Sequence, residues 1–527
     1  GFLMYFLVSS KMALKILGVD IGTTTIKSSV VNSDGHSMSF CQEKMEILYP
    51  QPGHVEIDPS TLWNLFIKVA KKALSDSGTD ASQVSCLAIC VLRNTFITWD
   101  KVTGKPLHNF ITWKDLRSAK LDDQYNNKML VKMVKSGAQV LHKITKKERF
   151  LIMKTLKFIP QLVVMRLVWV LRNIPEVSQC ARNGTLLFGT LDTWLVWRLT
   201  NGQQHVTEVS CACCSGLYDT MASRWSKPLL KYLNIPGTIL PRVVDSSYSF
   251  GCCDPEFFGA PVKIGAILGD QSSAVFGSGC WSPGDMKVTL GTGTFVSITT
   301  GDKMISSMEG AFPSVGWKIK GVPTYLMESM CNNTSATILW GKAVGLFTHE
   351  RYSSDVAFNA GSSDQVRFIP SFNGFQAPHN DPSAAAGFIG IKLSTTKDNL
   401  VRALLESIVF RTKQLIDMTL SEYNSKIRRL SLVKVSVNGG VSGNDFIVQG
   451  LSNLNNVRVE RSQSCEVSLL GVCLFAGYVQ GYWTLETIES MVTPGTCFLP
   501  NDRLNLADEF VSWSKAVDRF LHWYPGV

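Results

Sequence analysis

The segment Leu14-Lys15-Ile16-Leu17-Gly18-Val19-Asp20-Ile21-Gly22-Thr23-Thr24-Thr25-Ile26-Lys27-Ser28-Ser29-Val30-Val31 decides the fold. An apolar strand, Leu14 to Val19, reaches Asp20 and a Gly22-Thr23-Thr24 turn, and a second strand follows from Thr25 to Val31. Glycine lets the backbone approach an anion closely, threonine hydroxyls donate to its oxygens, and a carboxylate at the strand end can face a hydrated magnesium ion. Alone, this motif is moderately specific, with an ordinary hairpin turn as its alternative. The same arrangement returns, however, at Lys287 to Leu290, Gly291-Thr292-Gly293-Thr294 and Phe295 to Thr299. Two such hairpins predict a duplicated α/β fold with two phosphate-sized turns. The chain has no G-x-x-x-x-G-K followed by Ser or Thr, which excludes the P-loop route to a nucleotide.

Length agrees with duplication. With 527 residues and 45% apolar content, the chain has material for two domains of about 250 residues each. No Pro-rich or Ser-rich linker interrupts it, so the lobes are expected to join closely near residue 280, as 12–279 and 280–527. The 14 cysteines show no second C-x-x-C to pair with Cys211-Ala212-Cys213-Cys214 and no regular framework, and read as reduced thiols of a cytoplasmic protein. No apolar run reaches the ~18 to 20 residues that span a bilayer, and residues 1–11, ahead of Met12, are set aside from the functional reading. The net charge of +10 is matched by one stretch, Lys128 to Arg172, with eleven Lys or Arg against Glu148 alone. That concentration argues against a nucleic-acid face. It reads as a solvated amphipathic helical region or as a surface for an acidic partner or membrane headgroups.

A helix is expected from Asp58, whose carboxylate can cap the first turn before Pro59 and the helically spaced Leu62, Trp63, Phe66, Ile67 and Ala70. Further helices are expected at Asn399 to Met418 and Ser468 to Gln480. Trp513 and Trp523 are expected on one face of a closing helix, and His54 and His108 read as packed or surface groups, not metal ligands. In Leu268-Gly269-Asp270-Gln271-Ser272-Ser273-Ala274-Val275-Phe276-Gly277, a carboxylate stands at the end of an apolar strand and the start of a small-residue helix. It either caps that helix or is poised for chemistry.

Together with Phe372-Asn373-Gly374-Phe375-Gln376-Ala377-Pro378, Asp381-Pro382, Asn438-Gly439-Gly440 and Leu470-Gly471, these segments resemble the carbohydrate-kinase (FGGY) family over nearly the whole chain. Within it the glycerol kinases are most similar, through Pro52-Gly53-His54-Val55-Glu56-Ile57-Asp58-Pro59 and Leu187-Phe188-Gly189-Thr190-Leu191-Asp192-Thr193-Trp194-Leu195. The resemblance implies duplicated ribonuclease-H-like, actin-like ATPase lobes around a cleft, and ATP-dependent phosphorylation of a terminal hydroxyl of glycerol or a related small polyol. It implies Asp270 as the base and Asp20 beside Mg2+. Arg93, Asn94, Trp113, Gln271 and Phe295 would line the substrate pocket with Asp270. Thr23, Thr24, Thr25, Lys27, Gly291, Thr292, Gly440 and Asn444 would lie on the ATP side. Homo-oligomers are common in the family.

The sequence also departs from the family's pattern. Arg-Glu-Thr becomes Arg93-Asn94-Thr95, a pocket Tyr becomes Gln161, and Asp-Gly-Gly becomes Asn438-Gly439-Gly440. A Gly of the purine pocket becomes Ser335, Asn-Ala-Ser becomes Cys211-Ala212-Cys213, and an Arg becomes Ala385. These changes keep two alternatives open: a weakly active or inactive nucleotide-binding scaffold, and a kinase of another sugar.

Overall fold

Apolar β-branched residues in an uninterrupted run are stable only where both faces of a strand are covered. In the computed structural model, which describes residues 14–307, 309–427, 429–464, 466–502 and 504–525, strand β1 (Lys15–Ile21) is buried from Ile16 onward. It pairs antiparallel with β2 (Thr25–Asn32), Asp20 opposite Lys27, and the turn is closed by the Gly22 N–H donating to the Thr25 carbonyl at 2.9 Å. With β3 (Cys41–Lys44), β4 (Cys86–Val91) and β5 (Ile264–Gly269) they form a sheet in the order β5-β4-β1-β2-β3. β1, β4 and β5 run parallel.

The second sheet contains β6 (Met286–Leu290), β7 (Thr294–Gly301), β8 (Phe312–Ile319), β9 (Val322–Cys331), β10 (Lys434–Asn438), β11 (Arg458–Ser462) and β12 (Pro494–Phe498). Its order is β8-β9-β7-β6-β10-β11-β12. β6 pairs antiparallel with β7 and parallel with β10, and β10 parallel with β11, as β1 does with β2 and β4, and β4 with β5. The duplication expected from the two hairpins is present: β11-β10-β6-β7-β9 repeats the order and directions of β5-β4-β1-β2-β3, β8 and β12 are additions, and the two lobes are ribonuclease-H-like.

Eight helices matter for the argument: α1 (Pro59–Asp76), α2 (Met129–Thr145), α3 (Glu148–Thr155), α4 (Asp270–Gly277), α5 (Lys397–Lys426), α6 (Asp445–Asn455), α7 (Val467–Val479) and α8 (Ala507–Val517). α1 begins as the sequence predicts: Asp58 Oδ1 accepts from the Thr61 N–H at 2.7 Å, and Leu62, Trp63, Phe66 and Ala70 are buried. α5 is longer than its apolar pattern, starting at a Thr396–Asn399 capping box. Trp513 of α8 is buried in the second lobe and its Nε1 donates to the Phe368 carbonyl at 2.7 Å. Trp523 departs from expectation, lying beyond the end of α8 and 63% exposed, because the helix ends at Val517. The basic stretch is likewise not one surface. Arg166 is fully buried, bonding the carbonyls of Asn94, Ile111, Thr112, Leu162 and Gln161.

The lobes are tied together by α7. Although it follows β11 of the second sheet, it packs on the first sheet and against α4, joining Ile16, Cys86, Ala88, Leu268, Val275 and Phe276 in one core. The last strand of the first sheet ends at Gly269 and the first strand of the second begins at Met286, while α7, from the second half of the chain, packs on the first sheet. Contact between α4 and α7 is backbone to backbone: a Cβ on Gly471 would lie 2.0 Å from the Ser273 carbonyl oxygen, and one on Gly277 2.5 Å from the Val467 carbonyl oxygen. Neither neighbour is a flexible side chain that could move aside. Gly471→Ala should therefore cost about 3 kcal/mol or more, lowering the urea midpoint. Gly137→Ala, on α2 where nothing lies within 4 Å of the added carbon, should raise it by up to about 1 kcal/mol. Equal midpoints for the two variants would contradict this packing.

Candidate functional site

β1, β4 and β5 are parallel neighbours in the first sheet and β6 and β10 in the second, so the loops that follow them lie side by side within each lobe. Asp20 ends β1 and is 8% exposed. Burial pushes its carboxyl up to about 6; a Cys90 hydrogen bond and Lys27 pull it back, and the Asp270 charge adds to the rise. Lys27, its partner across the hairpin, is ion-paired with Glu466 at the start of α7. Thr23 Oγ1 accepts from Trp113 Nε1 at 3.1 Å, joining a residue expected on the phosphate side to one expected in the substrate pocket. Thr24 is exposed and Thr25 half-buried.

Asp270 opens α4, yet Gly269 holds the capping position and no side chain caps the helix. The Asp270 carboxylate accepts from the Gln271 N–H at 2.8 Å and lies 3.5 Å from Arg93 Nε, with a third of its side chain accessible. Burial raises its pKa; Arg93 opposes that rise. Arg93, in the loop after β4, also places Nη2 3.0 Å from Glu328 and Nη1 3.2 Å from Cys214 Sγ. Asn94 has φ 59°, a left-handed conformation that Asn tolerates better than most side chains. Its carbonyl accepts from Arg166 at 2.8 Å, and its buried Oδ1 has no partner. Gln161, whose carbonyl is held by the same guanidinium, is thereby placed beside Asn94.

The second lobe supplies the other wall. Gly291 and Thr292 form the β6–β7 turn, closed by Gly291 N–H to the Gly293 carbonyl at 2.9 Å, and Phe295 is half-buried just beyond it. Gly439 (φ 92°) presses its backbone against Leu290, where a Cβ would lie 2.5 Å from the carbonyl oxygen; Gly440 beside it faces open space. Asn438 uses both ends of its amide, accepting from Thr289 at 2.7 Å and donating to Ser278 at 3.3 Å. The Asn444 side chain caps α6, accepting from the Ile447 N–H at 3.2 Å and donating to Ser353 at 3.0 Å. His108 is half-buried, bonded to Thr98 and the Asn109 carbonyl, and desolvation pushes it down to about 4, so it packs as a neutral ring.

Four participants are absent from the sequence reading: Glu328, Lys287, Cys214 and Arg166. Lys287, fully buried on β6, donates to Gln271 Oε1 at 2.9 Å across the lobe boundary. Burial pushes it down to about 8, against the pull of Glu328 and Asp270. A lysine inside an otherwise apolar strand was a legible signal, whereas Glu328 came from a distant strand with nothing local to mark it. The donor set suits a magnesium ion. Asp20 offers a buried oxygen ligand, and no cluster of three or more His, Cys, Asp or Glu forms among the described residues, so water and phosphate oxygens would complete the shell.

Comparison with known proteins agrees with this arrangement. The model of the FGGY family of carbohydrate kinases matches residues 15–277 with its N-terminal domain and 286–479 with its C-terminal domain. Glycerol kinase 5 of Danio rerio is 42% identical over 523 residues, 98% of each chain, and glycerol kinase 2 of Thermotoga maritima is 32% identical over 511 residues, 96% of this chain and 99% of that one. The crystal structure of Plasmodium falciparum glycerol kinase with ADP superposes with a TM-score of 0.86 at 26% identity, covering 97% of this chain and 98% of that one. The fold is that of a two-lobed sugar or polyol kinase on the actin-like ATPase plan. The chain belongs to the FGGY family of carbohydrate kinases.

Lys287 gives this site a measurable signature. Its folded-state pKa, about 8, lies below its ordinary 10.5, so between those values the unfolded chain holds the extra proton and stability rises with pH. The rise should approach about 3 kcal/mol, and Lys287→Met should flatten it. Urea midpoints measured across this window would refute the assignment if wild type and variant ran parallel.

Proposed function

We propose that this chain transfers the γ-phosphoryl group of ATP to a terminal hydroxyl of glycerol or a related small polyol, in the cytoplasm. The observation that carries this reading is Asp270. Its carboxylate bonds one first-turn N–H, that of Gln271, remains a third accessible, and lies beside Arg93 and within electrostatic reach of Asp20. A carboxylate with raised proton affinity, held at the mouth of a cleft, is suited to take a proton from an alcohol.

In this reading Asp270 accepts the hydroxyl proton as the oxygen attacks phosphorus in line. Arg93, held on its other side by Glu328, keeps the carboxylate oriented and supplies N–H donors to the polyol. Thr23, Thr24, Gly291 and Thr292 bind phosphate oxygens from the two turns. Backbone crowding at Gly439 shapes the edge where the nucleotide lies, with Gly440 open to it; the committed side chain of Asn444 leaves a positioning role through α6. Magnesium, beside Asp20, would supply charge neutralisation. Closure of the lobes about α7 excludes water, which competes as acceptor.

Asp270→Asn should lower the rate of ADP release by about 10^2 to 10^4 while changing nucleotide affinity little in titration calorimetry. Wild-type turnover in that variant would sink the reading. Acceptor affinity is a separate matter. Where the family pattern has a carboxylate, Asn94 offers a neutral amide, and a charge-assisted hydrogen bond contributes about 1.5–3 kcal/mol. Asn94→Asp, which tolerates the same left-handed backbone, should tighten glycerol binding about tenfold by titration with a non-hydrolysable ATP analogue present. No gain for glycerol, but a response from another polyol in a substrate panel, would move the assignment to that polyol.

A further inference from the structure

Helix α2 presents two apolar faces. One is turned inward through Val131 and Ala138, packing beside α3. On a helix of 100° per residue, Met129, Met133, Val140 and Ile144 fall within an arc of about 60° on the opposite side. All four are exposed, at 73%, 63%, 56% and 74%, and Leu130 and Leu141 extend the stripe along one edge at 51% and 43%. A surface helix buries one stripe and leaves the other side polar, so this second stripe has no role in the fold. Nor does it belong to the catalytic cleft.

Its charge setting selects the partner. Lys132, Lys143, Lys146 and Lys147 are exposed around the stripe and past its C-terminal end, and from Lys128 to Arg149 the only acid is Glu148. Glu148 is already neutralised, accepting from Ser306 at 2.7 Å and from Lys426 at 3.1 Å in the second lobe. A second copy of the chain would bring the same lysines against their like. Every side chain of the stripe is exposed, so it projects from one helix face and does not line a groove for a partner helix. A deformable, negatively charged surface meets both constraints: apolar side chains enter the acyl boundary while lysines lie at headgroup level.

We propose that α2 docks this protein on anionic phospholipid membranes, lying in the interface with Met129, Met133, Val140 and Ile144 inserted. The full-length protein should co-float with phosphatidylcholine vesicles containing phosphatidylserine and not with phosphatidylcholine alone, and binding should weaken with salt. Each Lys→Gln at 132, 143 or 146 should cost about fivefold. The pair Met133→Glu and Ile144→Glu should cost more than tenfold without altering the thermal midpoint or nucleotide binding. Lack of binding to anionic vesicles by wild type, or equal binding by the double variant, overturns the proposal. If a concentration-dependent dimer is then found and the double variant abolishes it, the ridge belongs to a second copy instead.

Discussion

The contact between α4 and α7 is the constraint on which the rest depends. α4 carries Asp270 at its first residue, and α7 begins next to Glu466, the ion-pair partner of Lys27. The two helices touch through Gly277 and Gly471 with no side chain between them. Any residue larger than glycine at either position would push α4 outward and carry Asp270 away from Arg93. The position of Asp270 relative to α7 is therefore set by backbone contact, which is stiffer than side-chain packing because it has no rotamers to relax into. α7 also gives the second half of the chain a foothold on the first sheet, so lobe motion must pivot about this crossing.

Around that crossing the cleft gathers two cations, Arg93 and Lys287, and two anions, Asp270 and Glu328, in a region nearly shut off from water. Such a group is costly to assemble, and removing one member leaves an uncompensated charge. Its arrangement is asymmetric in a useful way. Glu328 is buried on β9 and serves Arg93, while Asp270 stays partly accessible and shares the same guanidinium at a longer 3.5 Å. The weaker partner is thus the one left accessible. Lys287, with Gln271 as its acceptor, places a charge of the second lobe against a helix of the first.

Local signals made much of this legible before any coordinates. The repeated strand, turn and strand announced two sheets; Asp58-Pro59 placed the start of α1; and the Gly-Asp step at Gly269-Asp270 marked a strand end feeding a helix. Each depends on neighbours in sequence. What stayed hidden depends on neighbours in space. Glu328 meets Arg93 only because β9 lies beside β7, and Arg166 left the basic stretch for the interior only because five carbonyls converge to receive it. Composition counted Arg166 as surface charge, since a lone arginine between apolar residues gives no sign of carbonyls supplied by distant loops. Trp523 failed for a simpler reason: apolar identity at the chain's last residues does not extend a helix that stops at Val517.

Arg166 also explains how the pocket could lose a carboxylate without unravelling. Its guanidinium bonds the carbonyls of Asn94 and Gln161 rather than their side chains, so the loop's path is fixed by backbone and is indifferent to what residue 94 carries. The left-handed φ at Asn94 narrows the choice to residues that tolerate it, and Asn is among them. Loop shape and acceptor charge are thereby uncoupled. A change at residue 94 alters the side chain beside Gln161 while leaving Arg93, one residue earlier, held against Glu328 and within reach of Asp270. Under the proposed function, substrate preference can therefore drift at Asn94 without disturbing Asp270.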